Sequence, residues 1–181
     1  GHEIAQLNVR LNRANRQLKS LAFSDGLTGT RNRYRMEQAL DAALSAADRH
    51  AQPFAVLLFD IDHFKHFNDT HGHEAGDRVL IALTRTLQTE LRETDTLGRW
   101  GGEEFLVLAD HCDQAGGVAL AERLRQAAEA LALDGLEPVT ISLGIAAWRP
   151  GDTRKRLVAR ADRAMYAAKQ QGRNRVVDAE A

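Results

Sequence analysis

The sequence predicts an α/β fold: an antiparallel-rich central sheet flanked by helices, with a coiled-coil-like helix at its N-terminus. Three observations predict it. Apolar strand-like runs, at 54–60 and 139–147 among others, alternate with stretches of helical period. The pair Gly101-Gly102 separates two strand-like runs and reads as the turn of a tight hairpin over about residues 94–109. Residues 3–23 contain no Gly or Pro and repeat Ile4, Leu7, Leu11, Ala14, Leu18 and Leu21 at spacings of three and four, an a/d heptad seam.

The elements follow in order. The seam of the first helix is narrow, and its other faces are rich in Asn, Gln, Arg and Lys. Such a helix buries its stripe poorly alone, so a parallel coiled-coil homodimer is expected. The alternative is a helix folded back on its own domain. Ser24-Asp25-Gly26 breaks the pattern and sets a boundary between a signalling and dimerisation helix, 3–23, and a globular domain, 24–178. Within that domain the pattern predicts a helix over 32–49, a strand over 54–60, a short helix over 63–68 and a longer one over 74–91. After the hairpin come a helix over 114–130, a strand over 139–147 and a last helix over 154–171. Arg175-Val176-Val177 is a short edge-strand candidate.

Composition sets bounds. A chain of 181 residues is one domain of ordinary size, with room for a core. Its 44% hydrophobic and 27% charged residues are those of a globular protein that works in water. A net charge of −1 provides no global basic field to draw it to nucleic acid. The single cysteine, Cys112, cannot pair internally, which fits a reducing cytoplasm. No apolar run approaches the roughly 20 residues that span a bilayer. Gly1-His2 in place of an initial Met reads as a cloning remnant. The chain is therefore expected to be an excised C-terminal output domain of a longer signalling protein. Its upstream sensor is missing, and the parent could be membrane-anchored.

The chemistry concentrates at two acidic strand ends. Glu103 and Glu104 sit just past the Gly-Gly turn, against the apolar run 105–109. Asp60 and Asp62 close the apolar run that starts at Phe54. Adjacent like charges at a buried edge are costly unless something positive binds there, and a hard divalent cation prefers oxygen ligands. If the strand pairs with the hairpin, Asp60 and Glu103 can meet at one metal. A solvated turn with surface acids is the alternative for the Gly-Gly-Glu-Glu segment taken alone.

The chain resembles the GGDEF-domain diguanylate cyclases over nearly its whole length. Gly101-Gly102-Glu103-Glu104-Phe105 matches their signature. Asp25-Gly26-Leu27-Thr28-Gly29 with Asn32-Arg33 resembles their opening motif, and Phe59-Asp60-Ile61-Asp62-His63-Phe64-Lys65 with Asn68-Asp69 their first metal strand and following helix. Gly72-His73-Glu74-Ala75-Gly76-Asp77 and Ser142-Leu143-Gly144-Ile145-Ala146 match the next two motifs. Ala161-Asp162, Met165-Tyr166, Ala168-Lys169 and Gly172-Arg173-Asn174 match the last helix and its exit. Thr30, Tyr34 and Met36 stand where Leu, Arg and Phe are common, none at a catalytic position. The resemblance implies a fold similar to nucleotidyl cyclases and polymerase palm domains. It also implies condensation of two GTP to cyclic di-GMP and two pyrophosphates, with Mg²⁺ or Mn²⁺.

Roles follow residue by residue. The metal ligands implied are Asp60, Glu103 and the carbonyl of Ile61. Glu104 is assigned to a second metal or to deprotonating the attacking hydroxyl, and Lys65 assists catalysis. Asp62 is expected to turn away from Asp60 and serve structure. Guanine presents two donors that the Asp77 carboxylate can accept, and the Asn68 amide can meet the purine edge as donor and acceptor. Taken alone, these two would be a helix-end cap and a first-turn acid. Triphosphate contacts fall to Lys65, Lys169 and Arg173 and to the N–H groups of His63, Phe64 and Lys65, with Gly101 and Gly102 beside the nucleotide. Complementing the last helix's dipole is the alternative for Lys169 and Arg173. His71 and His73 lack the further ligands of a zinc site.

Arg92-Glu93-Thr94-Asp95 is an RxxD sequence, and at its offset from Gly101 it matches the family's product-binding inhibitory site, with Arg123 as implied partner. An exposed ion pair worth little is the alternative. Two rival functions remain: a non-catalytic module sensing GTP or cyclic di-GMP, which would show damage at Asp60, Glu103 or the glycines, and a mixed GMP–AMP synthase, against which Asp77 argues.

Overall fold

The computed structural model describes residues 1–180, the side chains of residues 16, 17 and 19–21 excepted. Along the chain run α1 (His2–Phe23), α2 (Arg33–His50), β1 (Phe54–Ile61), α3 (Phe64–His71), α4 (His73–Gln88), β2 (Asp95–Arg99), β3 (Glu104–Asp110), α5 (Gln114–Ala130), β4 (Ile141–Ala147), α6 (Arg154–Gln170) and β5 (Val176–Asp178). The strands form one sheet in the order β2-β3-β1-β4-β5. All pairings are antiparallel except that of β5, which lies parallel to β4. This is the antiparallel-rich α/β fold read from the sequence.

The sheet separates two layers of core. Every residue of β1 is buried, because helices cover both faces of this central strand. Leu57, Phe59, Phe105, Val107, Leu143 and Ile145 face α3, α4 and α5 with Val79, Leu83 and Leu124. Val56, Leu58, Leu106 and Leu108 face α2 and α6 with Met36, Leu40, Leu157 and Met165. Period-two alternation then carries Asp60 and Glu104, at the strand ends, onto the α2/α6 side.

Two local features place the site. Asn32 caps α2 by accepting from the Arg35 N–H at 2.9 Å, an interaction worth about 1 kcal/mol. At Gly144, β4 touches α6 backbone to backbone: a Cβ there would collide with the Ala161 carbonyl and the Met165 amide. This close approach lays α6 flat on the sheet and brings Lys169, one turn past Met165, to the end of β1.

The observed α4 stops three residues before its expected end. Thr89 Oγ1 donates to the Thr86 carbonyl at 2.6 Å, and bonds of i→i+3 type at Thr89, Glu90 and Leu91 tighten the chain out of the helix. The expected strand at 139–147 begins two residues later, at Ile141.

α1 leaves the body of the domain. Ile4, Leu7, Leu11 and Leu18 are 57–65% exposed, so the stripe is not folded back on its own domain. Leu21 lies outside the described side chains. No helix among the described residues is long and apolar enough to cross a membrane.

Candidate active site

The site forms where β1 and the β2–β3 hairpin end together. The register sets Asp60 opposite Glu104, not Glu103. Glu103 belongs to the turn and is exposed. That turn is closed by the Trp100 and Gly101 N–H groups, both donating to the Glu104 carbonyl at 2.8 and 3.0 Å. Arg99 grips it from behind, giving Nε and Nη2 to the Gly102 carbonyl at 2.9 and 2.6 Å and Nη1 to the Asp25 carboxylate at 3.3 Å.

The electrostatics are those of an anionic cluster short of positive charge. Burial pushes the Asp60 carboxyl above its ordinary range, and the Asp62 and Glu103 carboxylates add to the rise. A hydrogen bond and the charge of Lys169 oppose it. Burial also pushes Glu104 up, reinforced by Asp162 and Asp60. Lys169 donates to Asp60 Oδ2, whereas Asp60 Oδ1 is buried without a hydrogen-bond partner. An orphaned carboxylate oxygen beside further carboxylates suits a hard divalent cation with oxygen ligands. Among the described residues no three acidic, His or Cys side chains already converge on one point. Around Asp60 the nearest such groups are the carboxylates of Glu104, Asp62 and Glu103, with the backbone of Ile61 next in the strand.

Asp62 has a different task. Residues two apart on a strand share a face, so alternation does not separate it from Asp60. Instead the chain leaves β1 after Ile61. The Asp62 carboxylate then accepts from the Thr140 and Ser142 hydroxyls, both at 2.6 Å, and from the Asn174 N–H at 3.0 Å. It thereby ties down the turn that follows α6, where Arg173 and Asn174 both have positive φ. Arg173 is presented to solvent from that turn.

The start of α3 has no side-chain cap. His63 precedes it in a left-handed conformation, φ 56°, and turns the chain so that the first N–H groups of the helix, which lack intrahelical acceptors, open outward. Lys65 is exposed beside them. Across the Gly72 joint, α4 runs back against α3, placing Asp77 exposed just past its first turn and Asn68 half-buried between the two helices.

Arg92, Asp95 and Arg123 surround a separate cavity of about 430 Å³. Arg92 donates its backbone N–H to Asp95 at 2.9 Å and its guanidinium to the same carboxylate and to the Asp110 carbonyl. Arg123 reaches the Glu90 carbonyl at 3.3 Å. Asp95 opens β2 and Arg99 closes it, so this cavity stands about 13 Å from the hairpin turn.

Sequence reasoning passed over Arg99 and Asp162. Arg99 was visible only as the basic residue before Trp100. Asp162 appeared within a motif, with nothing in the sequence to show that α6 aims it at Glu104.

The antiparallel-rich sheet flanked by helices, with acidic strand ends, is the palm-like fold of the nucleotidyl cyclases. The family model described as "Diguanylate cyclase, GGDEF domain" matches residues 22–175, and the chain belongs to that family. It is 38% identical over 167 residues to diguanylate cyclase DgcM of Escherichia coli K12, covering 92% of this chain and 41% of that protein. With the response regulator PleD of Caulobacter vibrioides it shares 41% identity over 163 residues, 87% of this chain and 36% of PleD. The chain thus spans about two fifths of the length of these curated relatives. Among solved structures it is similar to the coiled coil and GGDEF domain of DgcB from Caulobacter crescentus in complex with c-di-GMP. There the TM-score is 0.91 at 31% identity, covering 97% of this chain and 95% of that one.

Proposed function

We propose that this chain is the diguanylate cyclase domain of a longer signalling protein, working in the cytoplasm as a homodimer through α1. Two GTP molecules become cyclic di-GMP and two pyrophosphates. The observation that carries the reading is the intact acidic site: Asp60 with an orphaned Oδ1, Glu104 opposite it, and Glu103 on the turn. That completeness favours catalysis over a sensing module.

In each half-reaction the ribose 3′-OH of one GTP attacks the α-phosphate of the other. The new 3′-O–P bond forms as the bond to pyrophosphate breaks. Asp60, Glu103 and the Ile61 carbonyl would hold a divalent cation, Mg²⁺ or Mn²⁺, which when bound neutralises phosphate charge and acidifies the hydroxyl. Glu104 accepts the hydroxyl proton. The helix-start N–H groups from His63 to Lys65, with Lys65 and Arg173, hold the triphosphate. Lys169, which compensates Asp60, would turn its ammonium to the phosphates once a cation compensated that carboxylate instead. Asn68 and Asp77 read guanine, and Gly101 and Gly102 give the ribose room beside the turn. The product returns to Arg92, Asp95 and Arg123, where it slows the enzyme.

Incubation of the protein with GTP and Mg²⁺ tests the reading. A product with the mass of cyclic di-GMP, formed with two equivalents of pyrophosphate, supports it. Linear or mixed products, or unreacted GTP at micromolar enzyme, would overturn it.

A further inference from the structure

We propose that Arg125 of α5 is a positioning residue for the triphosphate site: through Asn174 it fixes the turn from which Arg173 is presented. The inference rests on the proposed GTP site and adds to it a residue that touches no substrate.

The turn after α6 is strained. Gly172, Arg173 and Asn174 follow one another at φ 119°, 63° and 47°. Glycine adopts such an angle freely, but two consecutive residues with side chains keep it only where their surroundings hold them. The Asp62 carboxylate accepts the Asn174 N–H at 3.0 Å, and the Ala168 carbonyl accepts that of Arg173 at 3.0 Å. These bonds hold the backbone, and α5 holds the Asn174 side chain. Asn174 Oδ1 accepts from Arg125 Nη1 at 3.0 Å, and Asn174 Nδ2 donates to Glu129 Oε2 at 2.5 Å. A guanidinium only donates and an ionised carboxylate only accepts, so these two partners fix which end of the amide is the oxygen.

Arg125 is itself held in place. Its Nε and Nη2 donate to Glu122 at 3.0 and 2.7 Å, and its Nη1 also reaches Glu129 at 3.0 Å. Glu122, Arg125 and Glu129 share one face of α5, at spacings of three and four. The hydrogen bonds of Arg125 pull the Glu122 carboxyl below its ordinary range. The Asn174 amide, with the Arg125 charge, does the same for Glu129. The guanidinium fork thus stands ready in the geometry that the amide requires.

The Arg173 guanidinium, by contrast, is exposed and has no partner among the described residues. With its backbone held, only its own rotamers remain to be ordered when a triphosphate arrives. Without Arg125, Asn174 Oδ1 loses its donor beside two carboxylates. The turn can then relax out of the left-handed region and aim Arg173 elsewhere.

Calorimetry with a non-hydrolysable GTP analogue and with GMP, on the parent, Arg125→Ala, Arg173→Ala and the double variant, tests the assignment. Arg125→Ala is expected to weaken the triphosphate analogue roughly tenfold, the scale of one charge-assisted hydrogen bond. GMP, which lacks the outer phosphates, should change by less than about twofold. In Arg173→Ala the same substitution should cost no further affinity for the analogue, because the side chain it positions is gone. Asn174→Gly, which tolerates the positive φ and removes the amide, should reproduce the split between analogue and GMP, and it decides the matter if Arg125→Ala fails to fold. Equal losses for the analogue and GMP, an undiminished effect in Arg173→Ala, or parent-like affinity in a folded Arg125→Ala would overturn the proposal and leave the GTP site standing. A parent that binds the analogue no better than GMP would overturn the proposed triphosphate site together with it.

Discussion

Asp25 joins two parts of the chain 74 residues apart. Its carboxylate accepts the Thr28 N–H at 2.9 Å, the Thr28 hydroxyl at 2.8 Å and the Arg99 guanidinium at 3.3 Å. Burial pulls its pKa up, but these donors and the Arg99 charge outweigh it and hold the group below its ordinary 3.8. A depressed carboxylate contributes stability that is fully present above the unfolded pKa and is lost as pH falls through the folded one. Asp25→Asn should thus cost about 1–3 kcal/mol near neutrality. The gap to the parent should narrow only below about pH 4, as denaturant melts across pH 3–7 will show. A gap of constant size down to pH 3 would mean that charge plays no part. Glu103 is the contrasting case, exposed and bound to nothing that folds the chain. Glu103→Ala should leave Tm within about 1 °C and reduce turnover by at least about a hundredfold. Turnover near that of the parent in a folded variant would remove Glu103 from the metal set.

Elements explain which of these residues the sequence revealed. The strands were legible because uninterrupted apolar runs such as 54–59 have no other stable place than a sheet covered on both faces. The hairpin was legible from its glycines. Register was not: local pattern cannot say that Asp60 meets Glu104, since that depends on how many residues the turn consumes. The Lys169–Asp60 pairing was hidden for a similar reason, because it follows from the docking of α6 over Gly144. β2 carries the remaining consequence. Its first residue, Asp95, belongs to the proposed inhibitory cavity, and its last, Arg99, holds the turn. Arg92→Ala removes a clamp without altering the ladder between β2 and β3. It should abolish inhibition by cyclic di-GMP and weaken its binding by at least about tenfold, while initial rates stay within about twofold. Calorimetry showing parent-like product affinity would reject the site, and inhibition that GTP relieves competitively would reject a mechanism acting at a distance.

At the scale of the molecule, the proposed reaction joins two GTP molecules, and a domain that presents one GTP would need a second domain facing it. Among the described residues outside α1, the exposed large hydrophobics are the separate residues Tyr34 and Tyr166, which form no large apolar surface for that meeting. α1 does supply one. Its stripe is exposed along the described seam and continues into the domain through Phe23, which stacks on Tyr34 with centroids 6.0 Å apart. Asn32 donates its N–H to the Phe23 carbonyl, and Arg31 links to Leu97 and Arg99 of β2, so the helix end is hydrogen-bonded towards the hairpin. A coiled coil of two such helices would tether two active sites at an effective concentration near millimolar. It would also impose their relative orientation through the Phe23–Asn32–β2 connection. Changing Leu11 and Leu18 to Gln places polar groups in the seam and leaves the domain core untouched. The parent is expected to sediment as a dimer with a rate proportional to enzyme concentration. The double variant is expected to sediment as a monomer, with a rate rising as the square of concentration in the low micromolar range. Monomeric variant enzyme that matches the parent's activity per domain at nanomolar concentration would show that the two sites meet by another surface.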